Sequence, residues 1–243
     1  METPTVSTPA PGASELASQL DHLVVVAASL EQGVQWCERV LGITPGPGGE
    51  HALMGTHNRL FNIASPAFPT AYFEIIAIQP GKPCTRPAPA RRWYDLDDLE
   101  LQLQLSKGGP QLAHFVASTT RAQGGVRALA RLGLDRGELL EASRMTPQGL
   151  LSWKITVRED GQRLFYGALP TLIQWGETHP IQNMAASGVS LQSLHASHPR
   201  PDALRAGYEA IGLAGVGLSQ GPPNLIATLQ TPRGLVTLES KGI

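Results

Sequence analysis

The fold is decided by the stretch LDHLVVVAASLEQGVQWCERVLGI, residues 20–43, because related stretches occur twice more in the chain. The second reads LAHFVASTTRAQGGVRALARLGL, residues 112–134, and the third, which is weaker, reads LQSLHASHPRPDALRAGYEAIGL, residues 191–213. Each has a short apolar strand, polar turn residues and an amphipathic helix that ends at a glycine, and strand-like runs follow it. This self-similarity predicts repeated units, each made of a strand, a helix and three strands (βαβββ).

The repeat also predicts how the chain is divided. Alternating strands and helices of this kind indicate an α+β fold. The segment before the first copy is rich in Pro, Ser, Thr and Ala, a composition typical of disorder. We therefore expect a disordered leader (1–17), a domain of two units (18–178, with units 18–79 and 111–176 and a connector 80–110) and a third, degenerate unit (188–243).

Two segments need a structural choice. The second half of the connector, DLDDLELQLQLSKG (95–108), begins with acidic residues and ends in Lys-Gly, which favours a helix. Its leucines at every second position from 99 to 105 would equally suit a strand. We favour the helix. Farther along the chain, the apolar residues of 164–175 predict a strand.

Composition and charge exclude several kinds of partner. The 243 residues carry a formal net charge of −1, which gives no electrostatic attraction to nucleic acid or to acidic membranes. No apolar run approaches the roughly 18 to 20 residues that a membrane span needs, and the first residues do not resemble a signal peptide. Cys37 and Cys84 form neither a CxxC motif nor a disulfide framework. We therefore expect a cytoplasmic protein without a nucleic-acid or membrane partner, and a homodimer is compatible with these features.

Histidines occupy the third position of the first two copies, His22 and His114. A third chemical group, Glu74, lies inside the apolar strand YFEIIAI. An imidazole or a carboxylate among Ile, Phe and Val loses hydration unless it gains a partner, and a metal ion is an efficient partner. Two imidazoles and one carboxylate suit zinc, nickel, manganese or iron. The alternatives are histidines bonded to the backbone and an edge strand that leaves Glu74 in water.

Residues 20–176 resemble a known family. Beside the first copy, the segments MGTHNRLFNIA, YFEIIAI, LAHFVA and LPTLIQWG are similar to the uncharacterised glyoxalase-like family of the vicinal-oxygen-chelate superfamily, which also contains glyoxalase I, extradiol dioxygenases and fosfomycin-resistance proteins. The resemblance implies paired units whose curved mixed sheets enclose a cavity with a divalent metal. By position, it implies His22, Glu74, His114 and Gln174 as metal ligands, with Glu74 also as the catalytic base.

Gln174 departs from the pattern of glyoxalase I-like sites, which generally have a glutamate in the second unit. An amide oxygen can ligate a metal but cannot take up a proton at neutral pH, so Glu74 is left as the base. The resemblance thus implies a metal-dependent lyase or isomerase that chelates a small oxygen-rich substrate and transfers a proton. Two alternatives stay open: extradiol-type ring cleavage with iron and dioxygen, and metal-free binding or sequestration of a small molecule.

Other polar and aromatic residues are secondary candidates. We predict that the substrate-binding wall contains His57, Asn58, Arg59 and Trp175, with a hairpin-end network as the alternative for the first three.

Trp93 and Tyr94 follow the proline-rich half of the connector, where they would form either a lid over the pocket or an anchor for the connector. We interpret His51 and His179 as loop residues.

Overall fold

The computed structural model describes residues 16–147 and 149–243, so the predicted leader lies almost entirely outside the described residues. The described chain has the expected α+β fold, in which repeated βαβββ units build strongly curled mixed sheets.

The first unit follows the predicted order of elements. Its helix begins after Ser29, whose side chain accepts a hydrogen bond from the backbone N–H of Gln32. Trp36 and Cys37 form the buried stripe of that helix. The elements are β1 (Ser18–Val26), α1 (Leu30–Val40), β2 (Glu50–His51), β3 (Thr56–Asn62) and β4 (Tyr72–Ile78).

The connector forms a helix, α2 (Leu99–Gly108), which confirms the favoured interpretation. The carboxylate of Asp98 accepts hydrogen bonds from the backbone N–H groups of Glu100 and Leu101 and so caps the first turn.

The second unit repeats the order of the first. The predicted strand over 164–175 is wrong in its first half, because Leu164–Gly167 form a short 3₁₀ turn before the strand begins. The elements are β5 (Gln111–Thr119), α3 (Ala122–Arg131), β6 (Glu138–Thr146), β7 (Gly149–Val157) and β8 (Thr171–Trp175).

The first two units share one eight-stranded sheet with the order β2-β3-β4-β1-β5-β8-β7-β6. Strands β1 and β5 pair antiparallel at its centre and join the two units. Each unit contributes the same sequence of strands from the centre to the edge: first, fourth, third and second. Strands β2 and β6 are therefore the two edges of the sheet.

The third unit has the βαβββ element order but a different sheet. Its four strands are arranged as β10-β9-β11-β12, so the first strand of the unit lies between the second and the third. The strand after its helix pairs directly with β9, whereas the corresponding strand of each of the first two units lies at an edge of the large sheet. The elements are β9 (Ser190–His198), α4 (Pro201–Ala210), β10 (Val216–Gln220), β11 (Asn224–Thr231) and β12 (Gly234–Glu239).

The core has two layers, one on each face of the large sheet. The outer layer joins β1, β4 and β5 to the helices and to the buried face of the third-unit sheet. The inner layer lies on the concave face, where β1, β4, β5 and β7 pack against the connector. Trp93 and Tyr94 are buried in this inner layer, where they anchor the connector against the concave face.

Candidate functional site

The concave face contains a small cavity, about 40 Å³, with a polar floor. His22 comes from β1, Glu74 from β4 and Asn58 from β3, and all three side chains line the cavity. Its walls are mainly aromatic and include Tyr72, Trp93, Tyr94, Trp153 and Trp175. The volume is enough for a few water molecules or for one small chemical group.

A β-bulge explains how Asp21 and His22, two consecutive residues of β1, can contact each other at the floor of the cavity. Neighbouring side chains of a strand normally point to opposite faces of a sheet. In the pairing of β1 with β5, Leu20 lies opposite Ala117 and His22 opposite Val116, so Asp21 is an extra residue. A bulge of this kind re-aims side chains. Oδ1 of Asp21 consequently lies 2.6 Å from Nδ1 of its neighbour His22.

Asp21 is completely buried and is held by three donors. Besides His22, the Nε1–H of Trp175 and Nε2 of His179 approach its Oδ2 at 2.9 and 3.0 Å. Burial acts to raise the pKa of the Asp21 carboxyl, but the hydrogen bonds from His179 and His22 outweigh burial and lower this pKa well below its usual range. Asp21 is therefore a fixed anion behind the imidazole of His22.

Glu74 faces the other nitrogen of His22. Its Oε2 lies 3.6 Å from Nε2 of His22, and its Oε1 accepts a hydrogen bond of 2.6 Å from the amide of Asn58. Burial raises the pKa of the Glu74 carboxyl, but His22 and Asn58 bring it below its usual value. Burial likewise opposes the charge on His22, but Asp21 and Glu74 raise its pKa to about 9. The floor thus alternates a carboxylate, an imidazole and a second carboxylate.

Sequence reasoning missed several residues of this site, among them His51, His179 and Asp21. His51 lies in β2 and lines the cavity, which corrects its interpretation as a loop residue. Burial lowers the pKa of its imidazole to about 4. His179 does lie outside the strands, but it donates to Asp21 across the sheet. For Asp21 itself, the signal was its place directly before His22 in an otherwise apolar strand.

The structure brings His114 to the same face of the sheet but gives it other partners. Its Nδ1 lies 2.8 Å from the carbonyl oxygen of Gly167, and its Nε2 accepts a hydrogen bond of 3.0 Å from the backbone N–H of Thr171. Burial is the main reason that the pKa of His114 lies well below its usual value, and the nearby cation of Arg136 lowers it further. His114 is therefore a neutral imidazole with both nitrogens engaged.

Gln174 is not brought to the cavity. Ile173 and Trp175 line the cavity, so strand alternation directs Gln174 to the opposite face of β8. There its Oε1 accepts a hydrogen bond of 3.1 Å from the backbone N–H of Ala122, the first residue of α3.

The same alternation divides the predicted substrate-binding residues. Asn58 and Trp175 line the cavity, whereas His57 and Arg59, on either side of Asn58 in β3, face away from it.

The predicted metal set does not fit this geometry. Of the four predicted ligands, His22 and Glu74 face each other. His114 is hydrogen-bonded to Thr171, and Gln174 lies on the outer face of the sheet. Residues 16–147 and 149–243 contain no cluster of three or more His, Cys, Asp or Glu side chains arranged to hold a metal ion.

Paired βαβββ units in a curled sheet around a cavity define a member of the vicinal-oxygen-chelate superfamily. The profile of the glyoxalase-like domain family matches residues 20–212, most of the chain, and the protein belongs to that family. A search of curated proteins returned no match.

One solved structure shows a similar fold at low sequence identity, and two others are reported with it. A hypothetical protein from Staphylococcus aureus is 13% identical with a TM-score of 0.56, over 91% of this chain and 85% of that chain. A variant of methylmalonyl-CoA epimerase from Streptomyces coelicolor, in complex with 2-nitronate-propionyl-CoA, is 15% identical with a TM-score of 0.40, over 68% and 99%. A 4-hydroxymandelate synthase variant from Streptomyces coelicolor is 11% identical with a TM-score of 0.44, over 92% and 63%. In the described parts of the chain, none of the helices has the length and apolar character for crossing a bilayer.

Proposed function

We propose that this protein is an enzyme of the isomerase or lyase type that moves a proton on a small oxygen-containing substrate in the cavity. The observation that carries the proposal is the buried array of Asp21, His22 and Glu74. Oδ1 of Asp21 lies 2.6 Å from Nδ1 of His22, and Oε2 of Glu74 lies 3.6 Å from Nε2 of His22. Two carboxylates on either side of one imidazole, inside an aromatic cavity, are costly to bury without a role.

Glu74 is the proposed base. Asn58 occupies its Oε1, so Oε2 is the oxygen directed at His22 and at the cavity. In the proposed reaction, Oε2 takes a proton from a substrate carbon next to a carbonyl group. The electron pair of the broken C–H bond moves to the carbonyl oxygen, which gains negative charge.

His22 is the proposed donor to that oxygen. Asp21 lies against its Nδ1, which fixes the ring and directs Nε2 toward Glu74 and the cavity. An N–H group already held in position stabilises a developing oxyanion at little cost in reorganisation. Return of the proton to a neighbouring atom completes an isomerisation, and departure of an adjacent leaving group completes an elimination.

The sequence also predicted a divalent metal, but the proposed proton transfer does not depend on one, because the four predicted ligands do not lie together. Iron-dependent ring cleavage would need those same ligands around one iron ion. Sequestration without conversion is the remaining rival, since the aromatic walls of the cavity would serve binding as well as catalysis.

Proton exchange tests the proposal. The purified protein is incubated in D₂O with a panel of small hydroxyketones and 2-oxo acids, and loss of the carbon-bound proton is followed by NMR. We expect Glu74→Gln to slow the exchange by roughly 10² to 10⁴-fold, the usual effect of a positioned acid–base group. His195→Gln, on the third-unit sheet, is the matched control. Equal exchange in wild type and Glu74→Gln would contradict the proposal, and binding without exchange in either protein would favour sequestration.

A further inference from the structure

Arg144 and Gly49, which belong to opposite edges of the large sheet, contact each other beside the cavity. Arg144 lies on edge strand β6, and Gly49 directly precedes the other edge strand, β2. A Cβ atom built on Gly49 would lie only 1.6 Å from Nη1 of Arg144. A side chain at residue 49 would therefore displace the guanidinium group of Arg144, a residue that also lines the cavity.

Two of the three guanidinium nitrogens of Arg144 have no acceptor among the described residues. Its Nε and Nη1 are both buried and have no hydrogen-bond partner there. Arg144 also lines the cavity that contains His22 and Glu74. A buried donor without an acceptor destabilises the free protein, and that cost disappears when a ligand supplies the acceptor.

A second donor of the same cavity is also unpartnered. Nε1 of Trp93 is buried and has no acceptor within the described parts of the chain. Trp93 and Arg144 come from different elements, the connector and β6, yet both line this cavity. Buried tryptophan N–H groups normally find a partner. Two independent orphan donors at one cavity point to a missing acceptor group.

We propose that the substrate carries a carboxylate, and that this group binds to Arg144 and Trp93 next to the proton-transfer array. Charge-assisted hydrogen bonds from a guanidinium to a carboxylate are among the stronger polar contacts in proteins. A guanidinium group pairs with a carboxylate or with a phosphate, so inorganic phosphate is the competing anion in the test of this proposal. The inference rests on the proposed function and narrows its substrates to small carboxylic acids with a neighbouring oxygen, such as 2-oxo and 2-hydroxy acids.

Binding measurements test the carboxylate site separately from catalysis. Calorimetric titrations use pyruvate and lactate as probes, lactamide as the uncharged match of lactate, and inorganic phosphate as the competing anion. We expect pyruvate and lactate to bind more tightly than lactamide and phosphate. Arg144→Met should weaken binding of the two acids by roughly tenfold or more, as expected for loss of a charge-assisted hydrogen bond. Arg205→Met, on the exposed side of α4, should leave binding unchanged.

Two further variants keep the outcome interpretable. Gly49→Ala leaves Arg144 in place but obstructs its guanidinium, so it should reproduce the weakening, with circular dichroism as the check on folding. Glu74→Gln should retain carboxylate binding even if it loses proton exchange, so failure of the proposed function is distinguished from failure of this inference. Unchanged binding in Arg144→Met, or tighter binding of phosphate or lactamide than of the acids, would overturn it.

Discussion

Oδ1 of Asp21 lies 2.6 Å from Nδ1 of His22, although the two residues are consecutive in one strand. The bulge opposite Ala117 and Val116 makes this contact geometrically available, and complete burial of Asp21 makes it strong. The contact between Asp21 and His22 thus depends on the bulge in the backbone as much as on the two side chains.

Removing the charge of Asp21 should change the titration of His22. In Asp21→Asn the ring loses its nearest anion, so the pKa of His22 should fall from about 9 toward its usual value. NMR titration of ¹⁵N-labelled histidines measures this shift directly. The other histidines remote from the cavity, such as His195, are the internal control. An unchanged His22 titration would mean that Glu74, rather than Asp21, dominates its charge.

Stability should depend on alkaline pH through the same histidine. The folded-state pKa of His22 is about 9, above the value near 6.5 that it has when unfolded. Its contribution is therefore fully present below pH 6.5 and is lost as pH rises through 9. We expect the free energy of unfolding to fall by up to about 1.4 kcal/mol per pH unit across this window. Urea unfolding of wild type and His22→Gln checks this, since the variant should lack that part of the slope.

The sequence predicted the element order well because repeats and caps are local signals. The leucines of the connector were compatible with a helix or with a strand. In the structure Leu101 and Leu105 are buried, and Leu99 and Leu103 are exposed. Leucines at every second position therefore form a helical stripe with half of its members on the outside, and the acidic cap at Asp98 decided correctly between helix and strand.

The site was less predictable because it depends on contacts that are distant in sequence. His22 and Glu74 were found because each is polar within an apolar strand. The bulge at Asp21 and the meeting of Arg144 with Gly49 depend on strand register and on sheet curvature, which leave no local pattern. The third unit has the βαβββ order that the repeat predicted, but its sheet order differs from that of the first two units, and the repeat gives no signal for that difference.

His114 gives a prediction about stability instead of metal binding. In His114→Leu, the carbonyl oxygen of Gly167 and the backbone N–H of Thr171 lose their partner inside the core. Two buried unsatisfied groups should lower the free energy of unfolding by about 2–5 kcal/mol. Urea unfolding with and without a chelator provides the measurement. If the chelator removed the difference between wild type and variant, His114 would be restored as a metal ligand.

Two substitutions of Gln174 should have different effects on stability. Its Oε1 accepts a hydrogen bond from the backbone N–H of Ala122 at the start of α3, a role that a local capping side chain usually fills. Gln174→Glu keeps an acceptor and adds a negative charge near a helix N-terminus, so stability should be retained or slightly increased. Gln174→Ala should cost about 1 kcal/mol in the free energy of unfolding. Because the side chain lies outside the cavity, neither change should alter proton exchange. Faster exchange in Gln174→Glu, with unchanged stability in Gln174→Ala, would instead place this residue in the active site as the second carboxylate position of glyoxalase I-like enzymes.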